Sequence, residues 1–494
     1  MVTTQDIVII GAGFGGLGMG IQLKQAGRHN FIILEKAADL GGTWRDNTYP
    51  GAACDVESHL YSFSFARKHD WSRRYGGQAE IKRYMHDCVA RFQLTPHLRF
   101  NAEVQQLHFD AEQQRWQVQL STGELLICRV VITAMGQLNQ PAYPAIAGLD
   151  TFAGPCFHSA RWQHDVELKG KRVGVIGTGA SAIQFVPQLA QQAGTLHVFQ
   201  RSASWVISKH DKPFSPWQQW CFRHVPGVSW LYRTWLYLKT ESRALAFTRF
   251  NWLLKWGEWQ AKRMAKRDVS DSHKRQQLIP TYKIGCNRIL LANDWYSSMN
   301  LPHVNLHTQG IREVTRHGVV TTAGENIALD ALVLGTGFRA TEFLAPMQVT
   351  GVNGVTLNQA WQQGAEAYKG INVAGFPNFF MLYGPNTNLS HSSILLMLEA
   401  QMHYVLQCLN TLEQQGASSM DVKPERQAHY VTKLQNKLSS TVWQSGCSSW
   451  YLNEQGRNVV NWFGFTFSYR RITKRVKVSD YQFQASKAQA KVQL

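Results

Sequence analysis

The chain has 494 residues, 44% of them hydrophobic and 17% charged, enough apolar material for a large packed core and too few charges for a disordered chain. At roughly 100 to 200 residues per domain, that length predicts two to four domains. The net charge of +18 raises nucleic acid as a partner, but 14 Lys and Arg stand against 5 Asp and Glu between Lys209 and Arg275, so half the excess sits in one segment and the rest is diffuse.

The N-terminal MVTTQDIVII has no basic leader and runs straight into a β-branched strand, DIVII at 6–10, so no signal peptide is expected. GAGFGG follows, where Gly11, Gly13 and Gly16 fit GxGxxG; a helix and a second strand, FIILE, end at Glu35, 19 residues after Gly16. Glycines there permit a tight turn and close backbone approach to a pyrophosphate at a helix N-terminus, and the acid accepts hydrogen bonds from ribose hydroxyls. Next comes GGTWRDNTYPGAACD (41–55), too irregular for helix or strand. The first pattern then repeats: KRVGVIGTGASA predicts a strand over 172–176 with Gly177 and Gly179 and a small Ala182, and LHVFQR (196–201) ends in Arg201. An arginine at that strand end pairs with a 2′-phosphate that an acid would repel. The first unit therefore reads as an FAD site and the second as an NADPH site.

From Trp205 to Trp259 the chain carries eight of its 17 tryptophans in a basic segment of helical periodicity. Arg233 interrupts its most apolar part, so it is expected to pack as a subdomain or lie at a membrane interface and not to span one. ALVLGTGF (331–338) predicts a buried strand closing the nicotinamide unit, and FFMLYGPN (379–386) the last flavin-side strand. The eight cysteines, at 54, 88, 128, 156, 221, 286, 408 and 447, form no CxxC pair and no regular spacing, so neither a disulfide framework nor a metal site is expected, and a reducing, cytoplasmic setting fits. No apolar run approaches the ~18 residues of a membrane span.

GGTWRDNTYPGAACD resembles the long fingerprint of type I Baeyer–Villiger monooxygenases, with Gly42, Trp44, Tyr49, Pro50, Gly51 and Asp55 in place. FAGPCFHSARW (152–162) is similar to the second fingerprint, with Phe152, Gly154, His158 and Trp162; GTGAS, GCNR (285–288), GTGF and GPNTN extend the match almost end to end, apart from 206–280. The subgroup it resembles is the one around 4-hydroxyacetophenone monooxygenase. That resemblance implies an NADPH- and O2-dependent FAD enzyme that turns ketones into esters or lactones through a C4a-peroxyflavin, and that can also oxidise sulfides. It implies Arg288 as the catalytic arginine and Asp55 as the acid that holds it, and it makes His158 a hinge residue between the two cofactor domains. The cofactor-contacting set is Gly11, Gly13, Gly16, Glu35, Gly42, Thr43, Trp44, Tyr49 and Asp55 for the first unit; Gly177, Thr178, Gly179, Ala180, Ser181 and Arg201 for the second; and Thr336, Gly337 and Asn386 beyond them.

The fold expected is α/β: two Rossmann-like dinucleotide-binding domains, FAD over 1–145 and 341–494 and NADPH over 155–205 and 281–335, with a helical insertion over 206–280. Its partners would be a ketone or sulfide, O2 and, through the insertion, a membrane surface, with no nucleic acid and no metal. Two departures stand out. Asn287 replaces the lysine that relatives often carry before the arginine, leaving the 2′-phosphate to Arg201, and NWFG (461–464) replaces Trp-Pro-Gly. Two alternatives stay open: an N- or S-oxygenating flavin monooxygenase, and a non-oxygenating NADPH-flavin oxidase or reductase.

Overall fold

Two sheets, each opening on one of the glycine motifs, organise the chain. The computed structural model describes residues 2–447 and 449–485; the last nine residues of the expected FAD domain lie outside them. The first sheet centres on the strand Val2–Ile10, which pairs in parallel with Phe31–Leu34 on one side and Leu125–Thr133 on the other. Leu125–Thr133 is shared along its length: its first half pairs with Arg115–Leu120 and its last three residues pair with Phe379–Met381, the predicted closing strand. The second sheet is all parallel, in the order Val304–His307, Thr195–Phe199, Arg172–Ile176, Ala331–Leu334, Cys156–His158. Central strands such as Ile7 to Ile9 and Val130 to Ile132 are buried on both faces, as the β-branched runs require of a covered sheet.

The helix Phe14–Gln25 follows the first strand and is buried almost throughout. Its glycines let it approach its neighbours: a Cβ at Gly16 would collide with the Gly11 carbonyl, and one at Gly18 or Gly20 would press on Met402 or Ile33. The covering helix Ile394–Gln414 supplies Met402.

The insertion leaves the second sheet after Thr195–Phe199 and returns before Val304–His307, with a short parallel pair, Val206–Ile207 and Leu290–Leu291, at its base. It is helical as expected: Pro216–His224, Val228–Thr248, Lys255–Asp268 and Ser272–Gln277. A full capping box of Ser215 and Gln218, with Pro216 in the first turn, starts the first of these. In Val228–Thr248 the buried positions are Ser229, Arg233, Leu236, Thr240, Glu241, Ala244 and Phe247, one stripe at helical spacing. Arg233, which interrupts the apolar run in sequence, belongs to that inner stripe; its guanidinium donates to the His59 carbonyl and to Ser62 Oγ. Glu241 accepts from the Thr466 amide and hydroxyl, and Thr240 Oγ1 lies 3.0 Å from Ser392 Oγ, so the helix is fastened to segments that flank the first sheet. Among the described residues, no helix is long and apolar enough to cross a membrane.

Candidate active site

Both glycine turns, the 41–55 loop and the Arg288 loop face one cleft of about 1140 Å³ between the sheets. The two turns are built alike. Gly11 has φ +104°, and a Cβ there would lie 2.7 Å from the Ala134 carbonyl; Gly177 also has φ +104° and would collide with the Gly335 carbonyl. The next glycine of each motif is open toward the cleft: Gly13 would meet nothing nearer than Gly42 Cα at 4.0 Å, and Gly179 nothing within 4 Å. First glycines are thus demanded by the fold, whereas the second ones face open space in the cleft. Gly16 lies off the cleft, at the helix–strand contact.

Glu35 ends its strand at the cleft, accepting from the Ala12 amide at 2.9 Å and the Ala37 amide at 3.0 Å, and Arg45 Nη1 lies 2.8 Å away. Three of a carboxylate's roughly four acceptor positions are used, which leaves one for a ribose hydroxyl. On the other side Thr178, Gly179, Ala180 and Ser181 line the cleft with Arg201, which is exposed and has no carboxylate within ion-pair distance among the described residues. Those features fit two dinucleotides, the acid beside the first cradle and the free guanidinium beside the second.

The 41–55 loop is a bracket between the sheets. Gly42 and Thr43 open it beside Gly13; Trp44 is buried and donates from Nε1 to Tyr61 Oη at 3.1 Å. Gln184, on the helix behind the second cradle, then staples it: the Gln184 side chain accepts from Tyr49 Oη at 3.1 Å and from the Ala53 amide at 3.2 Å, and donates to the Ala53 carbonyl at 3.0 Å. Trp44 and Tyr49 therefore pack and position.

At the end of the loop Asp55 meets Arg288. Arg288 Nε donates to Asp55 Oδ2 at 3.1 Å and Nη2 donates to the same oxygen. The two side chains keep 29% and 33% of their surface open, where they line the cleft, and are enclosed by protein elsewhere. Burial works to raise the Asp55 pKa, but the Arg288 guanidinium, helped by Lys209, outweighs it and holds the carboxyl below the ordinary range. Asp55 in turn raises the Arg288 pKa, against the cost of burial. Tyr383 and Tyr451 also act electrostatically on this arginine. Gln184, Arg45, Lys209 and Tyr383 carry no spacing signal in the sequence, and only the folded chain brings them here.

His158 is fully buried away from the cleft. Its Nδ1 accepts from the Ala160 amide at 3.1 Å and its Nε2 donates to the Gly337 carbonyl at 3.0 Å. That carbonyl also accepts from the Ala142 amide at 2.9 Å, and Thr336 Oγ1 donates to the Ala142 carbonyl at 2.6 Å. Here the two strands of chain that cross between the sheets run side by side, bridged at Pro141 and Phe338. Burial pushes the His158 pKa down to about 4, so the ring is neutral at pH 7 and held as the Nε2–H tautomer.

Three expectations need correction. Gly16, expected among the cofactor contacts, instead packs the helix against the Gly11 carbonyl and Ile9. Asn386 does not reach the cleft: its buried amide donates to the Asn458 and Asn461 carbonyls, tying its loop to the 458–461 segment. The cysteines are not all thiols: Cys286 and Cys447 form a disulfide with Cα atoms 6.2 Å apart. The pairing joins two loops 161 positions apart, so spacing could not announce it. Neither sulfur lines the cleft, and Cys54, the cysteine nearest Asp55, is a lone buried thiol whose pKa burial raises. A dithiol centre for disulfide reduction is therefore not built beside the first cradle.

Among known proteins, the family description "pyridine nucleotide-disulphide oxidoreductase" matches residues 8–226. The chain is 42% identical over 478 residues to a Baeyer–Villiger monooxygenase of Streptomyces coelicolor, covering 96% of this chain and 92% of that one. It is also 42% identical over 477 residues to a Baeyer–Villiger monooxygenase of Pseudomonas aeruginosa, covering 96% and 90%. Among solved structures it is similar to an oxidised steroid monooxygenase bound to NADP, at a TM-score of 0.86 and 31% identity over 98% of this chain and 100% of that one. Relatives of nearly the same length thus match almost the whole of this chain, and the chain belongs to the Baeyer–Villiger monooxygenases.

Proposed function

We propose that this enzyme uses NADPH, O2 and FAD to insert one oxygen atom between the carbonyl carbon of a ketone and its neighbouring carbon, giving an ester or lactone. Two electrons come from NADPH, and the second oxygen atom leaves as water. FAD, when bound and reduced, supplies the oxygen-activating chemistry. The observation that carries the reading is the Asp55–Arg288 ion pair in the cleft onto which both cradles open.

Arg288 provides a cation that no physiological pH removes, aimed at the space between the two cofactor sites. Asp55 engages the Nε–Nη2 edge and fixes the plane of the guanidinium, leaving the other edge for ligands. Glu35 takes the ribose of FAD, Gly13 and Gly179 the two pyrophosphates, and Arg201 the 2′-phosphate of NADPH. His158 pins the crossing strands between an FAD domain over 1–145 and 341–494 and an NADPH domain over 155–205 and 281–335, and its role is that of a hinge. The same site oxidises sulfides as a second activity. The partner reading includes a membrane surface met by the insertion.

The test is product analysis over cyclic, linear and aryl ketones with NADPH and O2. Ester or lactone should form in step with NADPH consumption, and Arg288→Ala should lower its rate roughly 100- to 1,000-fold with FAD still bound, the usual cost of removing one preorganised stabiliser. NADPH consumption that yields only hydrogen peroxide, or an Arg288→Ala enzyme of wild-type rate, would overturn the assignment.

A further inference from the structure

Of the 17 large hydrophobic side chains exposed among the described residues, 12 lie between Trp217 and Trp259. Trp217, Trp252 and Trp256 are 68%, 66% and 65% exposed, values that a side chain packed as a lid would not show. The inner stripe of Val228–Thr248 is already committed to the enzyme through Arg233, Thr240 and Glu241, so the outward Trp230, Leu231, Trp235 and Leu238 form a separate face. Cations are interleaved with these rings. Arg263 lies 5.1 Å from the ring centre of Trp259; Lys239, 4.9 Å from that of Trp235, is already paired with Glu57 at 3.4 Å. On Lys255–Asp268, the residues Lys255, Trp259, Lys262, Arg263 and Lys266 flank one shallow groove; Glu258, the acid among them, approaches the Ile284 amide at 3.5 Å.

Tryptophan and a basic helix face together are the chemistry of the bilayer interface: indole rings settle at headgroup depth, and lysine and arginine meet anionic headgroups. A second copy of the chain fits this face poorly. A two-fold interface would set this basic face against an identical basic face, and stable protein interfaces are depleted in lysine at their centre. We propose that the insertion is an interfacial face that docks the enzyme on bilayers rich in anionic phospholipid. The inner side of the same helix reaches the cleft wall, since Thr240 bonds Ser392, a cleft residue. Docking therefore brings the cleft close to the membrane surface, where apolar ketones concentrate; this last step rests on the reading of the preceding section.

The experiment uses the full-length FAD-loaded enzyme and vesicles of phosphatidylcholine with or without phosphatidylglycerol. At low salt the enzyme should sediment with the anionic vesicles and not with phosphatidylcholine alone, and brominated phosphatidylglycerol chains should quench its tryptophan fluorescence. Lys262→Glu, Arg263→Glu and Lys266→Glu combined should weaken partition by on the order of 100-fold or more, while turnover of a water-soluble aryl ketone stays unchanged. Replacing Trp252 and Trp256 by Ser should lower the quenching. No sedimentation with anionic vesicles at low salt, or binding by the charge-reversed enzyme equal to wild type, overturns the proposal. So does a concentration-dependent dimer in sedimentation velocity that Trp256→Ser abolishes. Failure to form ester in the absence of vesicles would defeat the oxygenase reading and leave the vesicle measurement untouched.

Discussion

Arg288 and Asp55 are 233 positions apart in sequence and share one carboxylate oxygen in space. Because Arg288 and Lys209 keep the Asp55 pKa below its ordinary value, the carboxylate stays charged as pH falls toward that value. Its stabilising contribution is complete above the unfolded-state pKa and is lost only as pH drops through the lowered folded value. Ester formation should therefore show no acid limb from this pair between neutrality and about pH 5; an activity midpoint within that range that Asp55→Asn removes would contradict it. His158 also loses its contribution as pH falls, but there the favoured form is the neutral one. Its folded pKa of about 4 lies below that of a free imidazole, so its neutral form is the stabilising one. That contribution is complete above about pH 6.5 and erodes as pH falls toward the folded value. Titration of the His158 ring by NMR should give a midpoint near the value of about 4, and a midpoint of an unperturbed histidine would mean that the crossing strands are not pinned as described. At this scale the place of Glu35 at a strand end was legible from motif spacing, and the meeting of Asp55 with Arg288 was expected from the family resemblance alone. Gln184 and Lys209 were not, since a lone glutamine on a helix or a lysine in a basic stretch has no pattern to betray it. Asn386 misled because a loop motif says nothing about which way its side chain turns.

The glycine turns separate two demands within one motif, and this separation can be tested. Gly11 is fixed by its backbone conformation and by the Ala134 carbonyl, whereas Gly13 has open space where its side chain would be. Gly11→Val should therefore fail to fold. Gly13→Val should fold and be colourless, because its branches fill the pyrophosphate space. Thermal melting together with the flavin absorbance decides between them; a Gly13→Val protein that is fully yellow would remove the first cradle from the FAD site. Arg201→Ala should lose about ten- to a hundred-fold in NADPH affinity and little in NADH affinity, the range expected of one charge-assisted bond to phosphate; equal loss for both coenzymes would make it a surface arginine. Strands, turns and even the insertion's helices were readable from periodicity. The inward orientation of Arg233 was not, because burial of a guanidinium depends on carbonyl and hydroxyl partners near residues 59–62 that lie far off in sequence.

On the scale of the whole molecule, the chain passes from the first sheet to the second once and returns once, and the two passages lie against each other at Pro141 and Phe338. Paired crossings of this kind are where hinged proteins absorb the rotation of one domain on another. The two-sheet plan was evident from the repeated fingerprint, but the disulfide was hidden, since pairing of Cys286 with Cys447 follows from the approach of two distant loops. Closing a loop of 161 residues restricts the unfolded chain by about 5 kcal/mol, so a reductant should lower the melting temperature of the wild type and leave that of Cys447→Ser unchanged. The bond also makes residues 286 to 447 a covalent ring. The last strand of the second sheet, the return passage and the helix that covers the first cradle all lie on that ring, and the loop of Arg288 starts it. A protease that cuts once in the exposed turn at 322–325 would open the ring without dividing the protein: a single band without reductant, two fragments with it.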